Sequence, residues 1–534
     1  MKRTAYYNGK VYTADKENPQ VEAFVVEDSK FVFVGKNEDL PECDEKIDLC
    51  GKCVIPGIID SHCHMLSGIN KIAMNMLVIP KETKPSELGK TLLDMLSETD
   101  LPDEQAVVAV GIDLTVGEFC AKDIDKFIPD RVVMVFSFDG HAALINTKAM
   151  KELGLDRDSE DPEEDSYYVR DKKGDPTGLI IEISAMRPCM QLMSEPTDEV
   201  CREALSYLVK EYSSLGYTTV FDAMTTDGED DKVLRILKSL DDEEGLPLRV
   251  FASFGYNGED FLESEKVMEI MKKNRSCYTS GNIACDTLKI ITDGTVEEHS
   301  ALLYEPYADS ETKYGYEKIS FKDMKKAADL AAKEGFSIHI HAIGDRAVTA
   351  ALDTLCSVGK IKGTKTIAHN QLYRDADIEK IKNTGDIFFQ TTPQWMKNDA
   401  YTLKFLGKKR FNEQFRIGTM QKNGVIVTFG SDSCLDPETS NAFEGMFYAC
   451  ARGNEQVCKE ECLPPESEKL TRMESLFAYT INGAKQLGVS GETGSIAVGK
   501  SADFVIADRN IIDCDLKMLK ETKVLKTFFR GREV

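Results

Sequence analysis

Residues 54–66 read VIPGIIDSHCHML, a short apolar run ending in two histidines one residue apart. If the run is a β-strand, positions two apart point to the same face, so His62 and His64 present their imidazoles side by side. The chain holds only seven histidines, and two of them stand here. A pair of polar residues on a surface strand gives the same spacing, so the rest of the chain has to decide.

Seven further apolar runs follow, and they decide the fold class. They are YTTVFDAM (217–224), LRVFASFG (248–255), TLKIITDG (287–294), FSIHIHAIG (336–344), KTIAHNQ (365–371), DIFFQTTP (386–393) and VIVTFGSDS (425–433). Helical patterns precede several of them. DEVCREALSYLVKEYSSLG and FKDMKKAADLAAKEG each end in a glycine suited to a helix C-terminus. Eight strand–helix units predict an α/β fold, a closed parallel (β/α)8 TIM barrel spanning residues 54–484. The stretch from about 66 to 195 is too long for one connection and is expected to be an insertion after the first strand. Residues 5–53 read as short strands punctuated by Asn-Gly and Asp-Ser turns, and SADFVIADRN and VLKTFFRGREV near the C-terminus read alike. Segments 1–53 and 485–534 are therefore expected to form one small β-sandwich domain.

Bulk composition excludes several function classes. A formal net charge of −25 argues against nucleic acid and anionic membranes as partners. No window matches a membrane span, and the start alternates like a strand with no apolar leader segment. Fifteen cysteines in such a chain read as reduced thiols, and the cytoplasm is the expected compartment. Cys50-Gly-Lys-Cys53 matches a C-x-x-C spacing with no second such pair and reads as a turn rather than a zinc or redox site.

In a βα barrel the site lies at the C-terminal ends of the strands. His62 and His64 end the first run, His341 the fifth, His369 the sixth and Asp432 the eighth. Convergence of these groups predicts a site for zinc, with one or two ions or another divalent metal, since zinc favours imidazole nitrogen and carboxylate oxygen. Lys289 stands inside TLKIITDG, where a strand interior ordinarily holds Val or Ile. A buried ammonium is costly unless paired or altered. It is read as a carbamate bridging metals, against a salt bridge to Asp293 on the same face. His339 shares a face with His341 one pleat deeper, and is assigned to the barrel's filled layers or to the support of a ligand.

Four residues are weaker candidates for substrate contact. His141 in the insertion could equally cap local structure, and Glu182 could be an exposed edge-strand acid. His299 reads as a loop residue near the site mouth. Trp395, the single tryptophan, lines a pocket or belongs to the core.

The motifs together resemble the amidohydrolase superfamily, in its amidohydrolase-3 branch of YtcJ-like proteins. VIPGIIDSHCHML, DGHAALINTKAM, DPTGLIIEIS, LKIITDGT, IHAIGDRAV, IAHNQL, FGSDS followed by DPETS, and YTINGAKQLGVSGETGSIAVGKSADFVIAD carry the match over nearly the whole chain. The resemblance implies a distorted TIM barrel plus a sandwich from both termini. It implies ligation by His62, His64, His341 and His369, with Asp432 as ligand and proton shuttle and Lys289 as the bridging carboxylated lysine. The chain departs from the family pattern at Ala368-His369, at His299-Ser300-Ala301 and at TTPQWM. These leave the implied ligands intact and bear on substrate identity.

The expected activity is metal-dependent hydrolysis of a C–N bond by a metal-activated hydroxide. Expected substrates are small molecules: an amide, an N-acyl or N-formyl amine, or a cyclic amide. Preference for C–N bonds rests on the family likeness. Another bond type, deamination, and a non-catalytic metal-binding regulatory protein are the alternatives. A homodimer is an open expectation.

Overall fold

In the computed structural model, residues 2–534 are described apart from 100, 104, 116, 139–141, 163–165, 194–195, 257–262, 398–399, 435–439 and 454–461. The eight apolar runs become eight parallel strands: β1 (Ile58–Cys63), β2 (Tyr217–Thr226), β3 (Arg249–Tyr256), β4 (Ile283–Ile291), β5 (Ser337–Ala342), β6 (Lys365–His369), β7 (Ile387–Thr391) and β8 (Val427–Phe429). Each pairs with its sequence neighbour, in the order β1 to β8. Helices outside and side chains inside bury both faces of such a sheet, which is why the runs are continuously apolar rather than alternating.

The last seam, between β8 and β1, carries no ladder between the strands themselves. It is closed by hydrogen bonds from the loop that follows β8. Asp432 N donates to His62 O (2.8 Å), His64 N to Ser433 O (2.9 Å), and Ser431 N to Asp60 Oδ1 (3.0 Å). Ser61 Oγ adds a bond to Phe429 O at 2.6 Å. The barrel is thus a distorted TIM barrel, as the family resemblance implies, and the fully closed sheet expected from the eight runs is not formed at this seam.

Two further sheets are built near the termini, the first from N-terminal strands alone and the second from both ends of the chain. One contains Lys30–Gly35, Ala23–Glu27, Thr4–Tyr7 and Glu45–Asp48; the other runs Arg532–Glu533, Val524–Phe529, Phe504–Ala507, Cys53–Pro56, Lys10–Tyr12 and Gln20–Val21. Their shared core is aromatic. Tyr6 stacks on Phe24 with centroids 4.9 Å apart, and Phe504 on Phe528 at 4.2 Å. Cys50 is exposed in a turn with φ 50°, whereas Cys53 is buried in a strand, and both thiols are free.

Contacts divide the chain into two compact units, residues 1–68 with 205–534, and residues 69–204. The second unit has its own six-stranded mixed sheet, from Tyr167–Arg170 at one edge to Leu77–Val78 at the other, with its own apolar cores. Among the described residues no helix is long and apolar enough to cross a membrane.

Candidate metal centre

Strand register sets the site. Across β5 and β6, Ala342 lies opposite His369 and His341 opposite Ala368, so the two histidines leave adjacent strands within one residue of the same level. Their ring centroids are 4.4 Å apart, and those of His62 and His369 are 4.7 Å apart. The backbone at His369 (φ 71°) and at Asp432 (φ 51°) is left-handed, a conformation costly for residues with a Cβ. Strain of this kind clusters where a fold must aim a side chain, at about 1–3 kcal/mol per residue.

Asp432 joins the set. Its Oδ1 lies 3.2 Å from Nε2 of both His62 and His64, and its Oδ2 3.9 Å from Nδ1 of His369. One atom from each of His62, His64 and Asp432 falls within 4.8 Å of the others. His62 and His369 are buried, while His64 keeps 30% of its side chain exposed and Asp432 13%, so the cluster opens on their side.

Electrostatics keep every deep imidazole neutral. Burial, with the neighbouring Lys289 ammonium second, pushes His62 down to about 3. His341 and His369 lie well below the ordinary histidine value, again chiefly through burial. Burial works against the Asp432 carboxylate, yet the imidazoles of His369 and His62 hold it well below the usual carboxylate range. Neutral imidazoles with free lone pairs beside an ionised carboxylate are the protonation states that metal ligation requires. Two atoms test the fit. His341 Nε2 and His369 Nδ1 are buried without a hydrogen-bond partner, standing 3.5 Å from Asp293 Oδ1 and 3.9 Å from Asp432 Oδ2, an arrangement costing about 1–3 kcal/mol per atom unless something accepts the lone pair. Orphaned nitrogens facing a carboxylate and further imidazoles fit a divalent ion of zinc's type.

Lys289 is buried on β4, and its Nζ lies 3.0 Å from His62 Nε2. Burial lowers it to about 7. Asp293 is not its partner. The Asp293 carboxylate instead accepts backbone N–H groups of Leu302, Ile343 and Gly344 at 2.8–3.0 Å, fixing the loops after β4 and β5. His339 is also buried, with Nε2 2.9 Å from His62 Nδ1.

The weaker candidates separate. Trp395, half-buried, stacks on His369 with centroids 5.3 Å apart at 14°. His299 is tied within its own loop region: Nε2 meets Asp309 at 3.0 Å and the ring packs on Phe405 and Tyr307. Glu182 follows the strand Pro176–Ile181 in the inserted unit, half-buried with φ 68°. His141 lies outside the described residues.

Two buried carboxylates were missed by sequence reasoning. Asp60 Oδ1 accepts from the backbone N–H groups of His62 and Ser431 (3.2 and 3.0 Å). Asp222 accepts from Leu66 N at 2.7 Å and Thr225 Oγ1 at 2.9 Å, holding the turn after His64. Both stand inside apolar runs, GIID and TVFDAM, and a charge in such a run is the signal that marks them.

Fold and donor set together define a (β/α)8-barrel protein with a candidate metal centre at the strands' C-terminal ends. The chain belongs to the amidohydrolase family, whose model matches residues 45–534. It is 30% identical over 446 residues to the exoenzymes regulatory protein AepA of Pectobacterium carotovorum subsp. carotovorum, covering 80% of this chain and 93% of that protein. It is 24% identical to the N-substituted formamide deformylase of Arthrobacter pascens, over 99% of this chain and 98% of that enzyme. Among solved structures, an uncharacterized metal-dependent hydrolase from Pyrococcus horikoshii superposes with a TM-score of 0.75 at 22% identity, covering 96% of this chain and 99% of the other.

Proposed function

We propose that this protein is a metal-dependent hydrolase of a C–N bond in a small amide, an N-acyl or N-formyl amine, or a cyclic amide. The observation that carries the reading is the convergence of His62, His64 and Asp432 with His369 and, beside it, His341, with two of the imidazole nitrogens buried and making no hydrogen bond. Family membership and the 24% identical formamide deformylase support the choice of bond.

His62, His64, His341, His369 and Asp432 would hold the ion, zinc by donor type. A carbamate formed by Lys289 Nζ with CO2, releasing one proton, would add an anionic oxygen donor. When bound, a divalent ion polarises a carbonyl and lowers the pKa of water from 15.7 towards about 7. Asp432 faces the open side of the cluster and has an ionised carboxylate, so it accepts the proton of the water that attacks the carbonyl carbon. As the C–N bond breaks, the same carboxyl returns that proton to the leaving nitrogen. Trp395 covers one face of His369 and shields that ring from solvent.

The decisive variant is Asp432→Asn. It is expected to retain bound metal while turnover of N-acyl or N-formyl amines falls about 10²- to 10⁴-fold. A fully active variant refutes the proton shuttle. The regulatory name of the 30% identical relative favours a second reading, in which the chain holds metal without turnover. A substrate panel assayed with and without chelator, beside metal analysis, separates the two.

A further inference from the structure

His62 uses both ring nitrogens. Its Nε2 faces the cluster, 3.0 Å from Lys289 Nζ and 3.2 Å from Asp432 Oδ1, while its Nδ1 lies 2.9 Å from Nε2 of His339. A neutral imidazole carries one proton, so only one of its nitrogens offers a lone pair. For His62 to present that lone pair to an ion at Nε2, its proton must sit on Nδ1. That proton then needs an acceptor, and the group in place is His339 Nε2. His339 must in turn carry its own proton on Nδ1. The tautomer of one imidazole therefore dictates that of the other.

The surroundings hold His339 in this role. It lies on β5 opposite Lys289 of β4 and Thr366 of β6, so neighbouring strands fix its backbone on both sides. Its ring stacks on Phe221 of β2 with centroids 4.6 Å apart at 30°. It also lines a small cavity together with Thr287, Ser337 and Thr366. Their hydroxyls make the lining beside the ring polar.

We infer that His339 is a positioning residue which fixes His62 in the tautomer that binds metal through Nε2, using a neutral imidazole where metal-ligating histidines ordinarily meet a carboxylate or carbonyl. The inference rests on the metal centre of the proposed function and concerns a residue outside its ligand set.

The test is metal affinity, read by competition with a graded chelator on the full chain. His339→Gln can place an amide oxygen where Nε2 stood, and His339→Phe keeps a ring but offers no acceptor. The Phe variant is expected to bind zinc about 10- to 100-fold more weakly, and the Gln variant to stay within a few-fold of the parent. Equal affinity of the Phe variant and the parent overturns the inference, as does a Gln variant as weak as the Phe variant. A parent chain that binds no stoichiometric metal fails at the earlier step, and the proposed function falls with it. Because the Phe variant can fail to fold, nitrogen-15 spectra of histidine-labelled parent protein supply an independent reading. A protonated Nδ1 on both His62 and His339 is expected, and a protonated Nε2 on His339 overturns the inference.

Discussion

Gly430 stands where no side chain fits. A Cβ built there would lie 2.5 Å from His62 N and 2.6 Å from His62 O, against backbone that cannot move without moving the ligand. The absence of a side chain lets the end of β8 meet β1, and that contact replaces the missing ladder. Gly430→Ala is therefore expected to cost about 1–3 kcal/mol, by the penalty for overfilling a packed site. Its signature is a lower urea midpoint together with weaker zinc retention. An unchanged midpoint and metal content would show that the seam tolerates the methyl. Lys289 was legible at this scale because an ammonium inside an apolar strand needs a reason. Its contact with His62 was not, since the sequence also allowed a salt bridge to Asp293, whose carboxylate accepts from three backbone amides. Likewise the period of two puts His339 and His341 on one face but does not say which residue of β1 His339 reaches; strand tilt and stagger set that.

The end of β6 shows how one element aims a ligand. The chain turns left-handed at His369 and again at Asn370 (φ 50°), breaking the strand at the residue whose ring must enter the cluster. Asn tolerates this conformation better than most residues. The Asn370 amide then clamps the turn, with Nδ2 donating to Ile367 O at 2.8 Å and to Gln390 O at 2.9 Å, linking β6 to β7. Asn370→Ala removes both bonds and leaves two buried carbonyls short of a donor. The expected loss is about 1–3 kcal/mol, with His369 less firmly placed. Thermal unfolding and zinc affinity should fall together, and a loss of stability with unchanged affinity would separate the clamp from the ligand. The eight strands themselves were readable because burial on both faces writes each as an apolar run. The strands of the inserted unit were not placed from sequence. That unit builds a separate mixed sheet with antiparallel pairs, for which barrel periodicity gives no template.

At the scale of the whole chain, a charge cluster around the buried Arg249 helps join barrel and sandwich. Arg249 opens β3 with only 3% of its side chain exposed, and its guanidinium reaches Asp503 at 2.7 Å and Glu492 at 2.8 Å. Asp503 precedes the sandwich strand Phe504–Ala507, and also accepts from Thr493 Oγ1, Ser501 Oγ and the Arg530 backbone N–H. The strand-like segments at both ends were readable, whereas this link was not, because Arg249 and Asp503 stand 254 residues apart and nothing local pairs them. The six-stranded sheet, which takes strands from both ends of the chain, is complete only when the two ends meet. The Arg249–Asp503 pair ties that meeting to a barrel strand. Breaking a buried pair by removing one partner costs about 3–5 kcal/mol when the other charge is left uncompensated, and Glu492, half exposed, still meets Arg249 once Asp503 is replaced. Asp503→Leu is therefore expected to lower stability by about 3 kcal/mol, the low end of that range, in urea unfolding, although the metal centre lies on other residues. Adding Arg249→Met to it should recover part of the loss, because no buried cation then remains. The remainder persists, since the Thr493 and Ser501 hydroxyls and the Arg530 amide still lack their acceptor. A double-mutant cycle measures the difference, and strictly additive losses would mean that the two side chains stabilise the junction independently.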